Sequence, residues 1–337
     1  MLLPFLHRIV ERRHLSATEA REAMLAIFNG QASTPQIAAF LAALATKGET
    51  GEELLGFARA MREKVTAVEP CINGEPLLDT CGTGGGDAVT FNISTIAAFV
   101  AAGAGARVAK HGNRSHSTPC GSADILEELG VSIVTEPEQM ARCIEQVGIG
   151  FLFAPALHPA MKHAQAARAE LKMRTAFNLL GPLSNPAGAR HQLIGAPSPT
   201  AAELMAQALT GLDMEHAFVV HGHSGLDEIS TTGPTQVFEV RGTQLRRLEW
   251  TPEYFGVSRT DIANLGGGTR EENRRIALEV LEGAPGPARD IVLVNAAAAL
   301  MAHGGSQDKR EAMERAARSI DSGAALLKVN QLAGFNT

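Results

Sequence analysis

Apolar residues near the start of the chain recur at the spacing of an amphipathic helix. On one helical face lie Ile37, Phe40, Leu41 and Leu44. The same pattern continues through roughly the first 65 residues, with polar positions between the apolar ones. We therefore predict a small N-terminal helical domain, whose remaining apolar faces would suit contact with a second copy of the chain.

Capping sequences indicate where these helices begin. Ser16-Ala-Thr-Glu19 and Thr50-Gly-Glu-Glu53 fit the capping box, in which a hydroxyl and a carboxylate satisfy the first free amides of a helix. Thr34 followed by Pro35 fits an N-cap with proline at the first helical position. The segment therefore reads as several short helices rather than one long one.

From Pro76 onward, short β-type runs alternate with alanine-rich helical runs. The predicted strands are residues 77–78, 107–109, 150–153, 192–195, 217–221, 237–240 and 291–294, and the predicted helices include 95–103, 122–129 and 308–327. Such alternation is typical of an α/β domain with a mainly parallel central sheet. We predict an N-terminal helical domain over residues 1–70, joined by helices from about 163–185, and a larger α/β domain over 71–337.

Composition narrows the possible partners. The formal net charge is −6, which argues against a nucleic-acid binder. The longest apolar runs, 96–106 and 291–302, are shorter than the roughly 20 residues of a membrane helix. The N-terminus lacks a basic region followed by a sustained apolar stretch, so we expect no signal peptide, no membrane contact and a cytoplasmic protein.

The cysteines do not form a recognisable site. They are spaced too irregularly for zinc and too sparsely for a disulfide scaffold: Cys71, Cys81, Cys120 and Cys143. We expect free, mostly buried thiols.

A glycine cluster follows the first predicted strand and suggests a phosphate site. Four of the five residues from Gly82 to Gly86 are glycine, which lets backbone amides approach a ligand closely. Asn92, Ser94 and Thr95 then stand where a helix begins, and free amides at a helix N-terminus favour phosphate. No lysine follows as in a P-loop, and no acidic residue is placed as a ribose ligand, so dinucleotide binding is disfavoured.

A second polar cluster, Lys110-His-Gly-Asn-Arg114, directly follows the predicted strand at 107–109. Parallel sheets bind ligands at the carboxyl ends of their strands, so this cationic run is well placed for an anion. Gly121-Ser122 soon afterwards offers another helix start.

These motifs and their order resemble the anthranilate phosphoribosyltransferase family. The matching segments are Asp79-x-x-Gly-Thr-Gly-Gly, Asn-Ile-Ser-Thr, Lys-His-Gly-Asn, His158-Pro-Ala-Met-Lys162, Arg168-x-x-Leu-x-x-Arg174-Thr-x-Phe-Asn178, Gly181-Pro-Leu-x-Asn185-Pro186, Leu226-Asp-Glu-Ile-Ser230 and Asn295-Ala-Ala-Ala-Ala-Leu300. The resemblance covers almost the whole chain.

The resemblance implies three groups of site residues. Those for phosphoribosyl pyrophosphate are Gly82, Thr83, Gly85, Asp87, Thr90, Asn92, Ser94, Thr95, Lys110 and Ser122. Those for anthranilate are Gly82, His111, Asn113, His158 and Arg168. Those for two magnesium ions are Ser94, Asp227 and Glu228, and hard oxygen ligands suit Mg²⁺ shared with phosphates. Arg168 would meet the anthranilate carboxylate with two parallel hydrogen bonds.

The resemblance further implies displacement at the anomeric carbon of the ribose by the anthranilate amine, with inversion. Catalysis would rest on positioning and electrostatic stabilisation, because the sequence contains no convincing covalent nucleophile. A homodimer through the N-terminal helices is also implied.

The sequence departs from the family pattern in two loops. Relatives usually carry Gly-Thr-Gly-Gly-Asp-Gly, whereas here Gly86 precedes Asp87. We expect altered magnesium or substrate affinity rather than loss of function. Thr118-Pro119-Cys120 replaces a Ser-Lys-Ser or Ser-Lys-Cys sequence, so Pro119 stiffens the loop and removes a cation.

Two other classes of protein would carry different residues at these motifs. A pyrimidine nucleoside phosphorylase of the same broad fold would use phosphate and carry Lys-x-Ser-Gly-Gly-type elements in place of Asn-Ile-Ser-Thr and the Asp-Glu pair. A non-catalytic relative that binds nucleic acid would show a basic surface and a degraded acidic pair. The chain has neither of these last two features.

Overall fold

The computed structural model describes residues 1–84, 90–115, 119–306 and 308–335. Its first four helices are α1 (Leu3–Val10), α2 (Ala17–Phe28), α3 (Thr34–Lys47) and α4 (Gly51–Lys64). The capping boxes at Ser16 and Thr50 are confirmed, with the Glu19 amide 3.3 Å from Ser16 Oγ and the Glu53 amide 3.2 Å from Thr50 Oγ1. The predicted N-cap at Thr34 was wrong by one residue. Ser33 is the N-cap, and its amide donates to Gln36 Oε1 at 3.1 Å.

Strands form a mainly parallel sheet in the order β3-β2-β1-β4-β5-β6-β7 within the described residues. They are β1 (Leu77–Gly82), β2 (Arg107–Gly112), β3 (Ile149–Phe153), β4 (His191–Gly195), β5 (His216–Gly222), β6 (Thr235–Arg241) and β7 (Gln244–Trp250). The first five strands pair in parallel, whereas β6 and β7 are antiparallel. The predicted fold class, a helical domain with a larger α/β domain, is confirmed.

Helices cover both faces of this sheet. They are α5 (Ile93–Gly103), α6 (Ser122–Glu128), α7 (Pro137–Gln146), α8 (Ala154–Leu157), α9 (Lys162–Leu171), α10 (Phe177–Leu180), α11 (Pro199–Leu209), α12 (Arg270–Leu281), α13 (Pro287–His303), α14 (Lys309–Asp321) and α15 (Ala324–Gly334). Each face of the sheet has its own hydrophobic core, and adjacent residues of a strand point into different cores, as Leu193 and Ile194 do. Helices α5 and α13 cover one face, and α11 with the N-terminal helices covers the other. Helix α9 packs on α2 and α3, which supports grouping it with the N-terminal helices.

Three local predictions need correction. The predicted strand at 291–294 lies inside α13, because an apolar run that is buried on all sides has no distinguishing period. The predicted closing helix at 308–327 is two helices, α14 and α15, separated at Gly323, whose φ of 75° leaves the helical region. Strand β7 was not predicted, because most of its residues are exposed and lack apolar alternation.

The described cysteines are free, and only Cys71 is exposed, as expected. In the described ranges, no helix combines the length and apolar character needed to cross a bilayer.

Candidate active site

The site residues converge at the carboxyl ends of the parallel strands. Strand β1 lies between β2 and β4. The strand order therefore reverses here: β2 and β3 extend the sheet to one side of β1, and β4 and β5 extend it to the other. Gly82 ends β1, and a Cβ placed there would stand 3.4 Å from Asp227 Oδ2. A Cβ on neighbouring Gly195 would collide with the Asp227 carbonyl. Glycines at these two strand ends therefore let the Asp227 loop approach β1 closely.

Buried polar atoms at the start of α5 and just after β1 lack protein partners. Asn92 is the N-cap, and its Nδ2 donates to the Cys120 carbonyl at 3.1 Å. Among the described residues, Asn92 Oδ1, Thr95 Oγ1 and Thr83 Oγ1 are buried without a hydrogen bond. Because buried polar atoms are normally satisfied, these three oxygens, at the start of α5 and just after β1, indicate a polar ligand.

Lys110 reaches the same region from β2. Its side chain is buried, and Nζ donates to the Thr80 carbonyl and lies 3.5 Å from Ser94 Oγ. Burial lowers the pKa of the Lys110 ammonium, while the nearby charges of Asp79 and Glu228 oppose that shift. No described carboxylate forms a salt bridge with it, so its charge is available to a ligand.

Asp227 and Glu228 form an acidic pair whose nearby cations, Arg174, His221 and Lys110, act from beyond salt-bridge distance. Both are half-buried, and no Lys, Arg or His of the described ranges makes a salt bridge with either carboxylate. Desolvation raises the pKa of Asp227, and desolvation together with the Asp227 charge raises the pKa of Glu228 to about 8. Hydrogen bonds from Ser94 and the charge of Lys110 oppose the Glu228 shift. Two adjacent carboxylates in this state favour binding of a cation.

His111 and His158 form a hydrogen-bonded pair beside this acidic region. His158 Nε2 lies 3.1 Å from His111 Nε2, and His111 Nδ1 lies 3.0 Å from the Gly181 carbonyl. Burial lowers the pKa of His111 to about 3, with repulsion from His158 adding to it, and burial lowers that of His158 to about 4. Both rings are therefore neutral near pH 7. Nδ1–H of His111 donates to Gly181, and Nε2–H of His158 donates to His111.

Arg168, on α9, contacts α10, the helix that ends just before Gly181. Its guanidinium lies 5.3 Å from the ring centroid of Phe177, and the side chain is half-buried. In the part of the chain that the structure describes, no carboxylate pairs with Arg168. Burial lowers the pKa of this guanidinium, which still remains charged. An orphan planar cation against an aromatic ring suits a carboxylate ligand.

The remaining predicted residues follow β1 or β2 along the chain. Ser122 is the first residue of α6, Thr90 bridges Gly266, and Asn113 is exposed with its carbonyl accepting the Ala123 amide at 3.2 Å. Gly85, Gly86, Asp87 and Thr118 lie outside the described residues.

Asp79 has no role in the sequence prediction, where it is only the first residue of the glycine motif. In the structure its carboxylate is buried at the centre of a hydrogen-bond network beneath the site. An acidic residue within an apolar strand just before a glycine loop was the available signal.

The chain matches two descriptions of protein families. The first is the glycosyl transferase family α/β domain, over residues 74–326, and the second is the helical bundle domain of the same family, over residues 3–65. The anthranilate phosphoribosyltransferase of Solibacter usitatus is 58% identical over 334 residues, covering 99% of this chain and 98% of the relative. That of Moorella thermoacetica is 50% identical over 336 residues, covering 99% and 98%. The chain belongs to the anthranilate phosphoribosyltransferase family.

Solved structures agree with this membership. The anthranilate phosphoribosyltransferase of Thermus thermophilus superposes with a TM-score of 0.92 at 41% identity, covering 98% of both chains. The Saccharomyces cerevisiae enzyme in complex with phosphoribosyl pyrophosphate and magnesium gives 0.90 at 29% identity, covering 99% of this chain and 97% of that one. Another structure of the yeast enzyme contains 4-fluoroanthranilate.

Proposed function

We propose that this protein transfers the phosphoribosyl group of phosphoribosyl pyrophosphate to the amine of anthranilate, releasing pyrophosphate, as a step of tryptophan biosynthesis. The observation that carries the proposal is a site divided into two complementary halves. One half offers unsatisfied hydroxyl and amide groups with a cation and two carboxylates, and the other offers Arg168 without an anion.

The phosphoribosyl half fits a ligand with several phosphates. Gly82 ends β1, the Thr83 and Thr95 hydroxyls are unsatisfied, and Asn92 is the N-cap of α5. The Lys110 ammonium lies 3.5 Å from Ser94 Oγ in the first turn of that helix. With these residues we group Gly85, Asp87, Thr90, Ser94 and Ser122, as the family pattern implies. The yeast relative binds phosphoribosyl pyrophosphate together with magnesium.

The acidic pair fits magnesium held jointly with the pyrophosphate. The described residues contain no group of three or more His, Cys, Asp or Glu side chains that would hold a metal alone. Mg²⁺ is commonly bound through one or two carboxylates together with substrate phosphates. We assign Asp227, Glu228 and Ser94 to two such ions, and bound magnesium would supply positive charge to the pyrophosphate.

The anthranilate half selects an aromatic acid. Arg168 can donate two parallel hydrogen bonds to the carboxylate, and its cation–π contact with Phe177 helps to hold the guanidinium. His111 and His158 are neutral and bonded to each other, so neither competes for the carboxylate as a cation. Gly82 and Asn113 complete this group of residues.

The chemistry needs orientation more than acid–base catalysis. The amine nitrogen forms a bond to the anomeric carbon of the ribose while the bond from that carbon to the pyrophosphate oxygen breaks, with inversion. The nitrogen then loses one proton to solvent, which leaves a neutral secondary amine. An aromatic amine is unprotonated near pH 7, so its lone pair is free to attack. Lys110, near the end of β2, stabilises the charge that develops on the leaving pyrophosphate.

A fluorescence assay of anthranilate consumption tests the reaction directly. With phosphoribosyl pyrophosphate and magnesium we expect stoichiometric loss of anthranilate fluorescence and release of pyrophosphate. A thermal-shift comparison should show stabilisation by phosphoribosyl pyrophosphate with magnesium, but not by orthophosphate with thymidine or by single-stranded DNA. Stabilisation by orthophosphate and thymidine, without anthranilate consumption, would instead indicate a nucleoside phosphorylase.

We further propose that two copies associate through the N-terminal helices and that the protein is cytoplasmic. Leu3 and Val10 on α1 are 39% and 65% exposed, which leaves apolar surface to cover. Free thiols support a reducing compartment. Light scattering should give twice the monomer mass of 35.5 kDa, and Val10→Glu should lower it.

A further inference from the structure

Asp79 lies beneath the site rather than in it. Its side chain has no exposed surface, and it precedes the glycine loop within β1. A carboxylate at such a position is costly unless its oxygens accept several hydrogen bonds. Its partners therefore show what it does.

The two oxygens of Asp79 bind different segments of the chain. Oδ1 accepts the His111 amide at 3.0 Å, which fixes the peptide at the end of β2. Oδ2 accepts Asn185 Nδ2 at 2.8 Å, and Gln192 Nε2 lies 3.4 Å from the same oxygen. One carboxylate thus joins β1, β2, β4 and the segment that ends at Asn185.

Asn185 and Gln192 in turn hold the segment that carries Gly181. Asn185 Nδ2 also donates to the Ala109 carbonyl at 2.8 Å, and Gln192 Nε2 donates to the Pro182 carbonyl at 2.9 Å. The Gly181 carbonyl is thereby fixed where it accepts Nδ1–H of His111 at 3.0 Å. Asp79 therefore holds His111 in two ways. It accepts the backbone amide of His111 directly, and it positions the Gly181 carbonyl that accepts the hydrogen bond from the His111 ring.

We propose that Asp79 is a positioning residue that fixes the orientation and tautomer of His111, and through it of His158, for recognition of the aromatic acid. The proposal rests on the function proposed above. A carboxylate is required because every group facing it donates a hydrogen bond. An amide in its place would direct its own NH₂ at the His111 amide or at Asn185.

Asp79→Asn is the first test. We expect KM for anthranilate to rise about tenfold or more, while KM for phosphoribosyl pyrophosphate stays within about twofold. In ¹⁵N spectra of histidine-labelled protein, with His111 assigned from His111→Gln, the resonances should change from a single Nδ1–H tautomer to a mixture. Glu239→Gln is the matched control, because it alters another buried carboxylate on β6 near the amino end of β5. It should change neither KM nor the His111 signals.

A second variant tests the route through the Gly181 segment. Asn185→Ala should raise KM for anthranilate in the same selective way, and it decides the question if Asp79→Asn does not fold. The double variant should be less impaired than the product of the single effects predicts, because both act through one network.

Two results would overturn the proposal: equal rises in both KM values, or an unchanged His111 tautomer in a folded Asp79→Asn variant. If the wild type does not consume anthranilate, the proposed function fails separately. The tautomer measurement then still decides the role of Asp79.

Discussion

At the amino end of the central sheet, ionisable side chains are paired within the protein, whereas at the carboxyl end several are not. His216 Nε2 lies 3.0 Å from Glu239 Oε1, which also accepts Arg241 Nε at 2.7 Å. Burial opposes ionisation of Glu239, but Arg241 and His216 outweigh it and lower the pKa of this carboxyl. Arg190 pairs with Glu215 at 2.7 Å close by.

The carboxyl end has charges of both signs that do not pair with each other. The Asp227-Glu228 pair, Lys110 and Arg168 form no salt bridge with a described residue. The difference indicates that one end contributes stability and the other is prepared for charged ligands, at some cost to stability. Four predictions test that division, from the largest expected effect to the smallest.

Removing the acidic pair should have the largest effect. Asp227→Asn with Glu228→Gln should lower kcat/KM at limiting magnesium by at least about a thousandfold, since charge stabilisation of the leaving group is lost. The free energy of unfolding without magnesium should be equal or higher, because two adjacent carboxylates without a cation are removed. Magnesium-dependent kinetics and urea unfolding measure the two effects. Unchanged activity at limiting magnesium would show that the metal assignment is wrong.

Arg168 should affect only the anthranilate half. We expect Arg168→Met to raise KM for anthranilate by about tenfold to a hundredfold and leave KM for phosphoribosyl pyrophosphate nearly unchanged. Arg168→Lys should recover little, because an ammonium lacks the two parallel donors. A full recovery in Arg168→Lys would contradict bidentate recognition. Steady-state kinetics with each substrate varied in turn provides the measurement.

The amino end should behave in the opposite way. Glu239→Gln should lower the free energy of unfolding by about 2 kcal/mol, as expected for hydrogen bonds to a charged group. The kinetic constants should match those of the wild type, because Glu239 lies at the other end of the strands. Denaturant unfolding and the fluorescence assay check both statements, and a loss of activity without a loss of stability would break the comparison.

The histidine pair predicts how stability depends on pH. The pKa values of His111 and His158 are lowered in the fold to about 3 and about 4, from an ordinary 6.5. The unfolded chain therefore binds protons first as pH falls, so the stability present above pH 6.5 decreases between 6.5 and about 4. Each histidine contributes a slope of at most about 1.4 kcal/mol per pH unit. Unfolding of His158→Gln across this range should show a smaller slope, and an identical slope would argue against a neutral pair.

Local signals predicted much of the fold and part of the site. Capping residues and the polar starts of α5 and α6 depend on neighbours in sequence, so Ser16, Thr50 and Asn92 were placed correctly. The glycine loop was predictable for the same reason, although the roles of Gly85 and Asp87 remain predictions outside the described residues.

Features set by distant contacts were not predictable in this way. Asp79 accepts hydrogen bonds from Asn185 and Gln192, which lie more than a hundred positions away in the sequence, and no local pattern predicts that pairing. Helix α13 is buried all round, so its apolar residues have no period that separates a helix from a strand. Arg168 was found through the family resemblance, whereas its contact with Phe177 required the structure.

The last strand of the sheet has a consequence for the behaviour of the protein at high concentration. Strand β7 carries exposed Arg246, Arg247 and Glu249 along the border that no further strand of the described chain covers. Charged residues at such a border oppose the addition of a strand from another molecule, which is the first step of β-type aggregation. A short antiparallel hairpin thus protects this border of the sheet from polymerising.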